Sequence, residues 1–110
     1  SKLYAGLKEG VSRQELARAI FIDYEGNIDR SPTLLGWRVD GLSHGAIVEE
    51  AFRTCSDRYR AKGIEWQPHH QVASRLLQQA CEEDRVLVSW SEHDLRLLQA
   101  VLPKKTTPVL

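Results

Sequence analysis

The run Ala19-Ile20-Phe21-Ile22-Asp23-Tyr24-Glu25-Gly26-Asn27 constrains this chain more than any other, because it is an apolar strand that ends in two acids one residue apart. Side chains two apart on a strand point to the same face, so Asp23 and Glu25 are expected side by side, with Phe21 beneath them. Two carboxylates held a few Å apart repel unless a proton or a metal neutralises them, and a hard divalent ion with oxygen ligands does this well. The same residues also read as a strand running out into a turn, Glu25-Gly26-Asn27, with both acids solvated.

The rest of the chain decides what such a strand can belong to. With 110 residues, 42% of them hydrophobic and 27% charged, one globular domain with a single core is expected. The 15 Lys and Arg balance the 15 Asp and Glu, which excludes a protein whose bulk charge draws nucleic acid, so binding of that kind needs a local patch. Cys55 and Cys81 lack CxxC spacing and a His partner at zinc-finger distance, and read as buried thiols in a reducing compartment. No apolar run reaches membrane-spanning length and no basic-then-apolar signal opens the chain, so no membrane partner and a cytoplasmic location are expected. The chain starts on Ser1 and has no Met, and reads as part of a longer polypeptide or complex.

Residues 1–18 form an N-terminal extension in which Ser12-Arg13-Gln14-Glu15 has capping-box form and predicts a short helix, Arg13 to Arg18. After the first strand, Asp29 to Pro32 turns the chain into a second, Thr33 to Val39, which ends at Asp40-Gly41, and the two strands read as an antiparallel hairpin. Ser43-His44-Gly45 reads as loop, and Ala46 through Phe52 as a third strand, with a helix start as the alternative. Arg53 to Lys62 interleaves Arg53, Arg58, Arg60 and Lys62 with Tyr59, which suits phosphate contact with base stacking and equally suits a solvated face. A helix is predicted from His69 to about Asp84, with Ala73, Leu76, Leu77, Ala80 and Cys81 on its apolar side. Val86-Leu87-Val88 reads as a strand covered on both faces, and Ser91 opens a helix with the stripe Leu95, Leu98, Leu102 that breaks at Pro103. Residues 103–110 form a tail.

This order predicts an α/β fold with a mixed sheet, three antiparallel strands followed by a helix-linked parallel strand. Function in such sheets gathers at the carboxyl ends of strands. If the first and fourth strands are neighbours, Asp94, on the first turn of the last helix, faces Asp23 and Glu25 across a crevice. Alternatively Ser91-x-x-Asp94 is itself a capping box, and the helix dipole stabilises the acid by a few tenths to about 1 kcal/mol. His93 is the candidate general base, although neighbours on a helix point about 100° apart and a surface position suits it equally. His69 and His70 read as helix-boundary residues. Trp37, Trp66 and Trp90 suit either base stacking or the core and its rim.

Phe21-Ile22-Asp23-Tyr24-Glu25-Gly26 resembles the first motif of the DEDD 3′–5′ exonucleases, and Leu87-Val88-Ser89-Trp90-Ser91-Glu92-His93-Asp94-Leu95 resembles the second. Leu34-Leu35-Gly36-Trp37 and Trp90-Ser91-Glu92-His93-Asp94 are also similar to ribonuclease H-like domains found beside helicase or nuclease modules. The resemblance runs from about Ala19 to Leu102 and implies a ribonuclease H-like domain over 19–102. It further implies two-metal hydrolysis of phosphodiester bonds in single-stranded DNA or RNA, with Mg2+ or Mn2+ held by Asp23, Glu25 and Asp94. Asp23 would bridge the ions, Glu25 would bind the one that activates water, and Asp94 would help hold the second. The family's third motif, an Asp four residues after a His or Tyr, has no counterpart, since no Asp or Glu follows Asp94. Two functions are therefore expected as alternatives: a metal-dependent exonuclease, and a catalytically degenerate ribonuclease H-like module that binds nucleic acid or assembles with protein.

Overall fold

Alternation along the first long strand sets the architecture. Ile20, Ile22 and Tyr24 are buried, while Asp23 and Glu25 are exposed and Phe21 is half-buried, so one face of this strand is core and the other ends in acids. The computed structural model describes residues 3–5, 12–26, 32–53 and 62–102. In chain order these form β1 (Leu3–Ala5), α1 (Arg13–Arg18), β2 (Ile20–Glu25), β3 (Leu34–Val39), β4 (Leu42–Ile47), a 3-10 turn (Glu50–Phe52), β5 (Glu65–Trp66), α2 (His69–Glu82), β6 (Leu87–Ser89) and α3 (Glu92–Ala100).

The six strands make one mixed sheet in the order β1-β6-β2-β3-β4-β5. Strand β3 runs antiparallel to β2 and β4, whereas β6 lies parallel to both β2 and β1, and β5 lies parallel to β4. The expected antiparallel trio and the helix-linked parallel strand are both present, and β2 and β6 are neighbours. All strands except β3 therefore present their carboxyl ends at one edge of the sheet. Parallel strands need a crossover, and α2 supplies it between β5 and β6.

Two helices cover one face. Val72, Ala73, Leu76, Leu77 and Ala80 of α2 and Leu95 and Leu98 of α3 pack with Ile20, Ile22, Tyr24, Leu35, Ala46 and Leu87 into the main core. Each fully buried Leu or Ile contributes about 1.5–3 kcal/mol. On the other face a smaller cluster gathers Ala19, Val86 and Val88 with Leu16 of α1 and Phe21. Val86, Leu87 and Val88 are buried, and β6 feeds both clusters as its apolar run predicts.

Several expectations need correction. Ser43, His44 and Gly45 are not loop: β4 starts at Leu42, directly after the turn, and pairs with β3 over its whole length. Asp40 and Gly41 both take positive φ, 51° and 80°, which a two-residue hairpin needs, and this turn sets the register. The third strand ends at Ile47, and Glu50–Phe52 is a 3-10 turn. Helix α2 stops before Asp84, whose φ of 51° is left-handed. Cys81 is exposed, because the residue after the buried Ala80 points about 100° away from it. Strands β1 and β5 were not expected. Cys55, most of the Arg53 to Lys62 run, and residues 103–110 lie outside the described residues. Among the described residues no helix is long and apolar enough to cross a membrane.

Candidate functional site

The carboxyl ends of β2 and β6 build the site. Strand β6 stops at Ser89, opposite Ile22, so the backbone N–H of Tyr24, two residues further along β2, has no strand partner on that side. The chain turns at Trp90, and Ser91 caps α3 by accepting the N–H of Asp94 at 3.2 Å. A full capping box would send the Asp94 side chain back to the N–H of Ser91. Instead its Oδ2 accepts the N–H of Tyr24 at 3.3 Å, across 70 residues of sequence. Asp94 thus fills the acceptor position that β6 leaves empty and ties α3 to the end of β2.

Asp94 is 8% exposed. Burial raises its pKa, the Tyr24 N–H opposes this, the charge of Asp23 raises it again, and His93 and Ser91 oppose, with a net upward result. The Asp23 charge is thus felt at Asp94, whose carboxylate is held on the N–H of Tyr24, the residue after Asp23 on β2. Glu25 lies on the same face of β2 as Asp23, at the exposed end of the strand, before Gly26 at φ 148°. Among the described residues no three His, Cys, Asp or Glu side chains stand close enough together to hold a metal ion. Asp23, Glu25 and Asp94 all carry carboxylate oxygens, the donors that hard divalent cations take. His93 is exposed on the first turn of α3, beside Asp94 in sequence.

One pair beneath the acids was not singled out from the sequence. The hydroxyl of Tyr24 is hydrogen-bonded to His69 Nε2 at 2.7 Å, and the rings meet edge-on at 5.4 Å. Burial first, and the Asp94 charge second, push the phenol's pKa up, while burial and then His70 push His69 down. Both groups are neutral at pH 7. The signal was in the alternation: Tyr24 occupies an inward position of β2, and a buried phenol needs a polar partner. His69, the first residue of α2, provides it, and the pair fixes α2 against the strand that carries Asp23.

Neither a protein-family model nor a curated protein nor a solved structure matches this chain.

Proposed function

We propose that this chain is a metal-dependent nuclease domain of ribonuclease H-like type, hydrolysing phosphodiester bonds of single-stranded DNA or RNA as a 3′–5′ exonuclease. Asp23, Glu25 and Asp94 are its ligands for Mg2+ or Mn2+. The observation that supports this best is Asp94 leaving its capping position to sit on the N–H of Tyr24 beside Asp23. A surface cap has no reason to be buried next to a second carboxylate at the carboxyl ends of adjacent parallel strands, where α/β sheets place ligands. A bound divalent ion supplies Lewis acidity at the phosphoryl oxygen and lowers the pKa of attacking water. The chain's own part is to hold the acids: β2 fixes Asp23 and aims Glu25 along the same face, and the Tyr24 N–H orients Asp94. His93, exposed on the first turn of α3 beside Asp94 in sequence, is the candidate general base.

The second reading, a degenerate module that binds without cleaving, rests on a different observation. No acid follows Asp94, and no third acid joins Asp23 and Asp94 among the described residues. A missing ligand is severe in rate, since each 1.4 kcal/mol of lost transition-state stabilisation is a factor of about ten. Manganese-dependent digestion of labelled single-stranded RNA and DNA separates the two. Under the nuclease reading this chain cleaves slowly or not at all, a longer natural form cleaves well, and Asp23→Asn or Asp94→Asn abolishes cleavage in that form. A long form that binds single strands and leaves them intact selects the degenerate module, and cleavage that survives both substitutions overturns the site.

A further inference from the structure

Among the described residues, nothing beyond Phe21 packs as a cluster on the face of the sheet opposite α2 and α3. Residues paired directly across strands share a face, so Phe21, Arg38 and Ser43 form one row across β2, β3 and β4, and Asp23, Gly36 and Gly45 form the next. The second row has no side chain of its own after Asp23; the Ile64 side chain lies over Gly45, and a hollow is left at Gly36 in the middle of the sheet. It belongs to a trough of about 440 Å³ lined by Phe21, Asp23, Gly36, Arg38, Ser43 and Trp90 among others. An adjoining hollow of about 380 Å³ shares Ser43 and continues past Gly45 and Ile64 to Lys62. At one end Trp90 stacks on Phe21, ring centroids 5.8 Å apart and planes within 22°, and Trp90 is nevertheless 61% exposed.

We infer that this trough is the path of a single nucleic-acid strand, with an unpaired base stacked on Trp90 and Phe21 and the backbone phosphates meeting Arg38 and then Lys62. The inference rests on the nuclease reading for the kind of partner and adds where and how that partner lies. Two features of the trough argue for this occupant. An exposed tryptophan braced by a second ring offers a flat platform, which every base can use whatever its sequence. Among the described residues Arg38 and Lys62 make no ion pair or side-chain hydrogen bond, and the two basic side chains line the hollows that follow the platform. A chain of zero net charge needs such a local patch to hold a polyanion. The glycine hollow matters because it admits the sugar: a Cβ at Gly36 meets only the backbone oxygens of Asp23 and His44, at 3.5 and 3.7 Å, and anything larger fills the trough.

The test is titration with decathymidylate in EDTA, followed by calorimetry, using the wild type, Trp90→Ala, Gly36→Leu and Arg38→Gln. Melting temperatures establish that each variant is folded. The wild type is expected to bind the single strand and to discriminate against an abasic strand of the same length. Trp90→Ala and Gly36→Leu weaken binding at least about fivefold, the low end for loss of one base–aromatic stack. Arg38→Gln lowers the slope of log affinity against log salt by about 0.7, as loss of one phosphate contact requires. Absence of binding by the wild type, equal binding of the abasic strand, or wild-type affinity in folded Trp90→Ala and Gly36→Leu overturns the inference. The magnesium-induced rise in melting temperature is read on the same proteins, and none of these three substitutions removes a carboxylate. A trough that fails while that rise persists refutes the path alone, whereas binding in EDTA with no metal response in the wild type refutes the metal reading alone.

Discussion

At the scale of single residues, Asp94 is the position where stability and function pull apart. Its carboxylate is buried and feels the Asp23 charge, and the Tyr24 N–H, His93 and Ser91 compensate only in part. Groups held against their own electrostatic preference cluster where they serve a ligand. Asp94→Asn keeps an oxygen for the Tyr24 N–H and removes the repulsion. In metal-free buffer at pH 7 the substitution is expected to stabilise the protein by on the order of 0.5–2 kcal/mol, a melting temperature several degrees higher. Thermal unfolding checks this, and an unchanged or lower melting temperature would mean that Asp94 serves the fold as an ordinary cap. The residue could be picked from its place after an apolar strand, but its partner could not. A capping sequence and a cross-strand acceptor use the same Ser-x-x-Asp, and only the early end of β6 decides between them.

Among the elements, the β3–β4 hairpin is anchored at its turn by Arg85, which lies just before β6. Arg85 makes a bidentate pair with Asp40 at 2.9 and 2.9 Å, reaches Glu83 at 2.7 Å and donates to the backbone oxygen of Arg18 at 2.9 Å. Arg18 in turn donates to the Glu83 carbonyl at 2.7 Å, so one cluster joins α1, the hairpin turn and the end of α2. The hydrogen bond from Arg85 holds the Asp40 carboxyl below its ordinary pKa. A depressed carboxylate contributes stability that is present above its unfolded pKa of 3.8 and is lost as pH falls through the lower folded value. Wild type is therefore expected to lose stability below about pH 4 faster than Asp40→Asn does, with the two acid-unfolding curves converging at the lowest pH. Parallel curves would show that the bridge does not outlast solvent screening. This hairpin also marks the limit of what the sequence discloses. Helices α1 and α3 were legible because Ser12 and Ser91 cap them as their motifs say. Leu42-Ser43-His44-Gly45 carries no strand propensity, and its pairing comes from the Asp40-Gly41 turn and from Arg85, 45 residues away. Two-residue β5 and three-residue β1 are too short to show any period.

For the whole molecule, the asymmetry of the sheet is what makes a site possible. Among the described residues, helices α2 and α3 bury one face, α1 covers the part of the other near Ala19, Val86 and Val88, and the acids stand beyond that cover. The core could be read from the alternation in β2 and the stripes of the two long helices, whereas the open face is a property of strand order, which no local pattern states. Linkage connects this arrangement to global stability, because an ion that binds only the folded state stabilises it by RT ln(1 + [L]/Kd), about 2.7 kcal/mol at a hundredfold excess over Kd. For a domain of this size that corresponds to a rise of roughly 10 °C or more in melting temperature. Saturating magnesium or manganese is accordingly expected to produce a rise of that order in wild type, with Asp23→Asn losing most of it. Asp94→Asn should begin from a higher melting temperature without metal and also lose the response, so that the order of the two proteins reverses on adding the ion. Calorimetric scans of wild type, Asp23→Asn and Asp94→Asn, each with and without metal, read these outcomes. An equal response in wild type and Asp23→Asn would place the ion elsewhere on the surface. A response kept by Asp94→Asn and lost by Asp23→Asn would assign the ion to the β2 acids, leaving Asp94 to position the strand.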